Sequence, residues 1–267
     1  MTYTPALTYP ALIALDSPVN GWPCQDAAGS SSIADIYGSQ PLSTLTNVTL
    51  GVTTNPLYPG CTSFHTSGAS NDGAVSATHG ALTTYAAMTA EIWVYLPAAA
   101  AMSSMCLSVG RNSVQGEGFA IAFGNTTSVD TSSTANYVTF LKCNLAWGLG
   151  SGMGLTVDPT PNTAAIIRAM IPAGWHHLCW RTEQISPKQV EIFLDGTLVG
   201  TFSNSTVSGG WIDHTTNERT AIGNVEVGTE GPNSASTLFA HAYVYSKRLS
   251  MGAIRSRSEL VKTLSTL

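Results

Sequence analysis

Glu191 and Asp195 are the two carboxylates of this chain whose spacing comes nearest to a catalytic pair. In Val190-Glu191-Ile192-Phe193-Leu194-Asp195-Gly196 the side chains alternate. Val190, Ile192 and Leu194 therefore share one face of a strand, and Glu191, Phe193 and Asp195 share the other. Glycoside hydrolysis needs two carboxyl groups roughly 5 to 9 Å apart. Asp195, however, is also the first residue of an Asp-Gly tight turn, so the expectation is two solvated strand charges and no enzyme. His176 and His177 adjoin Trp175 on another strand and face opposite sides of it, whereas a metal pair needs one face, so packing roles are expected. His65, His79, His214 and His241 have no spaced partners; a loop or a solvated face is expected for each.

Other chemistries lack their minimum parts. There is no Gly-X-Ser-X-Gly elbow, no Walker loop and no His-Glu-X-X-His. The Gly-rich run Gly148 to Gly154 has no following Lys-Ser/Thr and reads as a loop. Five cysteines (Cys24, Cys61, Cys106, Cys143, Cys179) at wide spacings contain no C-x-x-C pair and are expected as small buried hydrophobes. Sugar recognition uses exposed aromatic rings beside amides and hydroxyls. Trp147 and Trp211 fall in loop segments and are the candidate carbohydrate-contacting residues, while Trp93, Trp175 and Trp180 fall on strands and are assigned to the core.

The elements that must position these residues are short strands. Alternating segments run over 89–96, 119–123, 136–141, 175–181, 190–194, 197–202, 220–223 and 238–245, separated by Gly, Ser, Asn and Pro clusters. Asp195-Gly196 joins two of them as a tight hairpin. The uncharged run from Ile92 to Gly110 contains Pro97 and reads as strand, loop and strand rather than a membrane span. One helix signal stands at the end: Ser250 caps Met251 to Leu264, with Ile254, Val261 and Leu264 on one face and Arg255, Arg257 and Lys262 pointing elsewhere. Pro5 and Pro10 favour an extended segment at the start and interrupt what would be the apolar core of a signal peptide.

Composition narrows the function classes further. Of 267 residues, 10% are charged, against roughly 25% in an ordinary soluble domain. Polarity comes instead from 29 Ser and 33 Thr, which suits strands and turns. No Lys or Arg precedes Arg111, while that stretch holds Asp16, Asp26, Asp35, Asp72 and Glu91. A nucleic-acid binder or a polybasic membrane anchor needs a cationic footprint, so neither partner is expected.

Several segments, in order, resemble the laminin-G-like family with its concanavalin A-type jelly roll. They are Gly21-Trp22-Pro23-Cys24-Gln25-Asp26, Cys61 to Gly68 followed by Asn71-Asp72-Gly73, Thr89-Ala90-Glu91-Ile92-Trp93-Val94-Tyr95, Gly174-Trp175-His176-His177-Leu178, the hairpin Leu194-Asp195-Gly196, Ala221-Ile222-Gly223-Asn224, and Tyr243 to Ser250. The resemblance implies an all-β antiparallel sandwich with a short C-terminal helix, divided into an extended arm (1–20), a jelly-roll domain (21–249) and a helical tail (250–267). Members often bind carbohydrate or protein surfaces, and some hold calcium with loop oxygens; here Asn71 and Asp72 are the candidate ligands. Where relatives commonly carry an acidic pair before the last strand this chain has Ala240-His241, so no cofactor is expected.

Together these features resemble the virion proteins of tailed bacteriophages. The expectation is a non-enzymatic minor tail protein at the virion surface, a homo-oligomer or part of a multi-subunit particle, whose partners are other virion proteins and host-surface glycan. A capsid decoration protein, a free lectin and a concanavalin A-fold glycoside hydrolase are the alternatives.

Overall fold

A computed structural model describes residues 8–68, 72–77, 87–97, 104–111, 118–123, 138–143, 164–167, 172–183, 188–204, 219–223 and 236–266. Within them the chain runs α1 (Tyr9–Ala14), β1 (Asn20–Trp22), β2 (Leu42–Thr46), β3 (Val48–Val52), β4 (Ser63–Thr66), β5 (Gly73–Ser76), β6 (Ala87–Leu96), β7 (Ser104–Arg111), β8 (Gly118–Phe123), β9 (Val138–Cys143), β10 (Ala164–Ile167), β11 (Gly174–Glu183), β12 (Lys188–Leu194), β13 (Thr197–Asn204), β14 (Arg219–Ile222), β15 (Thr237–Tyr245) and α2 (Met251–Leu264). The first sheet has the order β13-β12-β11-β6-β15-β4-β3, with β1 added on β15; the second has β10-β9-β8-β7-β14-β5-β2. Every named pairing is antiparallel, and the chain passes back and forth between the sheets, staying in the second from β7 to β10 and in the first from β11 to β13. This is the jelly-roll-type sandwich with a terminal helix that the period-2 pattern implied. No helix among the described residues is long and apolar enough to cross a membrane.

The inner faces meet in one core. Met88, Ala90, Ile92, Val94 and Leu96 of β6 alternate into it with Leu178 and Trp180 of β11 and Val190 and Ile192 of β12. Leu107, Val109, Ile121 and Ile222 come from the opposite sheet. The hairpin at Asp195 (φ 53°) and Gly196 (φ 77°) has the positive φ values that a tight primed turn needs, which only Gly, Asn and Asp adopt cheaply. It hands β12 to β13 as the sequence implied.

The outer face of the first sheet is covered as well. Trp93, Cys179, Phe193, Tyr243 and Tyr245 point away from the sandwich and are buried by Tyr9 and Ile13 of α1, by Ile254 and Val261 of α2, and by Leu57 and Cys61 of the 53–62 loop. β6 and β15 are therefore buried on both faces.

Two expectations are corrected here. The arm expected over 1–20 is not extended where it is described. Thr8 caps α1 through its side chain, Pro10 sits in the first turn, where its missing N–H has no helical partner anyway, and β1 begins at Asn20. Residues 1–7 lie outside the described residues. In α2, Ser250 accepts from the Ala253 N–H at 3.0 Å and caps the helix as expected. Arg257, however, is fully buried on the same face as Ile254 and Val261 rather than pointing away from it, because positions 254, 257 and 261 lie one above another.

Candidate functional site

Trp147, Trp211, Asn71 and the Gly148–Gly154 run lie outside the described residues. Asp72 is buried: its Oδ1 accepts from Asn47 Nδ2 at 2.9 Å and its Oδ2 from the Ser67 hydroxyl at 2.6 Å, so both oxygens serve the fold. Among the described residues no group of three or more His, Cys, Asp or Glu side chains is arranged to hold a metal ion.

Glu191 and Asp195 are not the solvated charges expected of them. Glu191, 7% exposed, accepts from Arg181 Nε at 2.5 Å and from the Arg248 guanidinium. Asp195 Oδ1 accepts the His177 backbone N–H at 2.9 Å, and its Oδ2 meets His176 Nδ1 at 2.9 Å. Burial alone would raise both carboxyl pKa values; the two arginines beside Glu191 and the His176 and His177 hydrogen bonds to Asp195 outweigh it and hold both below the usual carboxylate range.

The strongest charge cluster is one the sequence did not disclose. Glu91, on the outer face of β6, is 1% exposed. Its Oε2 lies 3.0 Å from His177 Nε2, and its Oε1 accepts from the Tyr245 hydroxyl at 2.6 Å and lies 3.4 Å from Arg257 Nε. Arg257 also donates from Nη2 to Asp16 at 2.6 Å and stands over the Tyr245 ring at 4.9 Å. Trp93 stacks on His177 at 5.0 Å and donates its indole N–H to Tyr9 at 2.8 Å. Desolvation pushes the Glu91 carboxyl up, but Arg257, His177 and Tyr245 bring it below its ordinary value. Sealed under α1 and α2, this cluster fastens both helices to the sheet.

Groups that can meet a ligand lie along one end of the same outer face. Tyr95 of β6 and Trp175 of β11 pair across the strands, half-buried, with ring centroids 5.6 Å apart in an edge-on arrangement. Trp175 was expected in the core; it stands at the rim, and its indole N–H donates to the Asn55 carbonyl at 2.8 Å. That bond ties the strand to the 53–62 loop, whose Leu57 is buried and whose half-buried Tyr58 stacks on His241 at 5.7 Å. Asn55 and Gln25, both exposed residues, adjoin the rings, the first through its backbone carbonyl on Trp175 and the second through its amide nitrogen on Tyr58.

His241 was expected on a loop or a solvated face and is instead 1% exposed. A bulge between Ala240 and Tyr243 gives it φ 52° and turns it onto the outer face, where its N–H donates to the Pro23 carbonyl at 3.1 Å. Period-2 alternation carries no signal for such a bulge. Gln25 Nε2 lies 3.1 Å from His241 Nε2, and because an amide nitrogen only donates, Nε2 is the acceptor and Nδ1 donates to the Tyr243 hydroxyl at 3.0 Å. Tyr58 donates to the same Nε2 at 2.9 Å, and Cys61 Sγ lies 3.7 Å from it. Burial lowers the His241 pKa to about 3 and pushes the Cys61 thiol up. A neutral imidazole beside a protonated thiol is the opposite of an activated nucleophile, which needs the thiolate. Cys24, Cys61, Cys106 and Cys179 are all free and buried, as their spacing implied.

No family model and no curated protein matches the sequence. Solved structures do. A sialidase of Trypanosoma rangeli superposes with a TM-score of 0.59 at 14% identity, covering 94% of this chain and 34% of the sialidase chain. The receptor-binding domain of a botulinum neurotoxin C/D mosaic serotype gives 0.58 at 12% identity, covering 91% of this chain and 51% of that one. The type G receptor-binding domain gives 0.55 at 9%, with the same two coverages. The chain thus spans about a third of the sialidases and about half of the toxin domains, and what it shares with them is the β-sandwich.

Proposed function

We propose that this chain is a non-enzymatic recognition and assembly module of a tailed-bacteriophage virion, a minor tail protein whose sandwich contacts glycan on the host surface. The observation that carries the glycan contact is the rim of half-buried Tyr95, Trp175 and Tyr58 beside the exposed residues Asn55 and Gln25. Aromatic faces for the apolar side of a sugar and amides for its hydroxyls are what such a ligand requires. The toxin-domain neighbours are receptor-binding domains, which fits a sandwich used for recognition.

The absence of enzymatic activity is inferred from the carboxylates. Asp16, Asp26, Asp35, Asp72, Glu91, Glu183, Glu191 and Asp195 are each held by a cation or a hydrogen bond of the fold. These commitments favour the non-enzymatic reading; the remaining described carboxylate, Glu259, stands exposed on α2. The virion assignment rests on sparse charge, Ser/Thr richness and the laminin-G-like order of motifs.

Immunogold labelling of phage particles that encode this chain tests the assignment. Gold at the tail is the expected result. Gold over the capsid would move the protein to a decoration role, and its absence from particles would leave a free lectin.

A further inference from the structure

We propose that Gln25, Tyr58, Cys61 and His241 form a closed tetrahedral site for a zinc ion. Their terminal atoms already stand near the corners that such a site needs. His241 Nε2 lies 2.9 Å from the Tyr58 hydroxyl, 3.1 Å from Gln25 Nε2 and 3.7 Å from Cys61 Sγ. Gln25 Nε2 in turn lies 3.4 Å from the Tyr58 hydroxyl and 3.6 Å from Cys61 Sγ. Zinc bonds of about 2.0 Å to nitrogen or oxygen and about 2.3 Å to sulfur, at tetrahedral angles, set neighbouring ligand atoms about 3.3 to 3.5 Å apart. Four donors from three segments of the chain thus surround one point at ligand separations. A half-turn of the exposed Gln25 amide brings its oxygen to the corner that its nitrogen holds.

Local backbone sets each corner. Tyr58-Pro59-Gly60-Cys61 is a type II turn: Pro59 takes its second place, Gly60 its third at φ 82°, and the Cys61 N–H donates to the Tyr58 carbonyl at 2.9 Å. The turn brings the phenol and the thiol together. The bulge between Ala240 and Tyr243 carries His241 to the same point, and its Nδ1–H, donated to the Tyr243 hydroxyl, fixes the ring with the Nε2 lone pair aimed inward. Zinc-bound imidazoles are oriented by a bond of this kind. The imidazole is already in its ligating neutral form, and the Cys61 thiol passes its proton to water as the sulfur–zinc bond forms. Thiolate and imidazole select zinc over calcium and magnesium, which take oxygen ligands. Only two of the four ligands are Cys or His, and the turn, Gln25 and His241 lie far apart in the chain, so no zinc spacing stands in the sequence.

Titration of the metal-free full chain with zinc and with cobalt(II) tests this. Competition with a fluorescent chelator is expected to give one zinc per chain, and zinc to raise the melting temperature where calcium and magnesium do not. Cobalt(II) in its place is expected to show the strong visible bands of tetrahedral coordination and a thiolate-to-metal charge-transfer band in the near ultraviolet. Cys61→Ala is expected to remove that band and weaken zinc at least tenfold, Gln25→Ala to weaken it at least threefold, and Cys106→Ala to leave it unchanged. Because Gln25 is exposed, its variant reads the site even where Cys61→Ala fails to fold. Failure to bind zinc, zinc binding untouched by Cys61→Ala and Gln25→Ala, or the weak visible spectrum of octahedral cobalt would each overturn the site.

Discussion

Arg257 is buried to zero exposure on α2, and its place is explained by Glu91 and Asp16, which meet it from different elements, and by the Tyr245 ring beneath it. Removing one partner of a buried pair leaves an uncompensated charge, so Glu91→Gln is expected to cost about 3–5 kcal/mol in urea unfolding, and pairing it with Arg257→Met to recover part of that. A single-variant cost below about 1 kcal/mol would contradict the assignment. Since the Glu91 carboxyl is depressed in the fold, its contribution is complete above its ordinary pKa of 4.5 and is lost as pH falls through the folded value. His241 behaves differently. Its folded pKa, about 3, lies below the ordinary 6.5, so between these values the unfolded chain binds the proton and the folded one does not. Stability is therefore expected to fall as pH drops from 6.5 toward 4.5, a window above the carboxylates, and His241→Asn, which tolerates the left-handed backbone, is expected to flatten that slope. An unchanged slope in the variant would contradict the burial of a neutral ring. Ser250 and Asp195-Gly196 were legible because caps and tight turns depend on neighbouring residues. Glu91, Arg257 and His241 were not, because His177 and Arg257 around Glu91, Asp16 on Arg257 and Tyr58 on His241 lie far off in the sequence and only folding brings them together.

Among the elements, strands with strong alternation were legible to within a few residues: 89–96 became β6, 175–181 became β11 and 238–245 became β15. β10 over Ala164–Ile167, too short and uniformly apolar to show a period, was not. Nor was α1, whose six residues read as a Pro-interrupted arm until Tyr9 and Ile13 are seen to fill the space over Trp93. The covering of the first sheet's outer face is the lesson at this scale. Alternation discloses one buried face of a strand and cannot disclose that helices from both ends of the chain bury the other. Truncation before residue 250 is expected to uncover Trp93, Cys179, Phe193 and Tyr245, with strong binding of a hydrophobic dye as the readout. Tyr9→Ala, which removes a fully buried ring and the acceptor of the Trp93 indole, is expected to lower stability by about 3–5 kcal/mol. A truncation that removes residues 1–10 therefore weakens the fold itself, so particle assembly must be probed with Tyr9 in place.

For the whole molecule, eleven basic and sixteen acidic residues over 267 positions leave little charge for contacts, and several described ions are consumed inside the fold. On the proposed virion assignment, association with neighbouring subunits would then depend on shape, apolar burial and hydroxyl or backbone hydrogen bonds. Raising salt from about 0.05 to 0.5 M is expected to leave the sedimentation of its assemblies unchanged, because screening acts on exposed charges; dissociation in that range would contradict it. Sugar contact and sugar hydrolysis are the two readings to be told apart; a rim of aromatic rings supports the proposed contact, and Glu191 and Asp195, the carboxylates spaced nearest to a catalytic pair, are held by Arg181, Arg248, His176 and His177. Proton magnetic resonance of a neutral oligosaccharide mixed with the full chain reads both at once. The account predicts saturation transfer from protein to sugar ring protons with the anomeric signals constant over days; growth of new reducing-end anomeric signals, abolished by a Glu191→Gln or Asp195→Asn change, would contradict it.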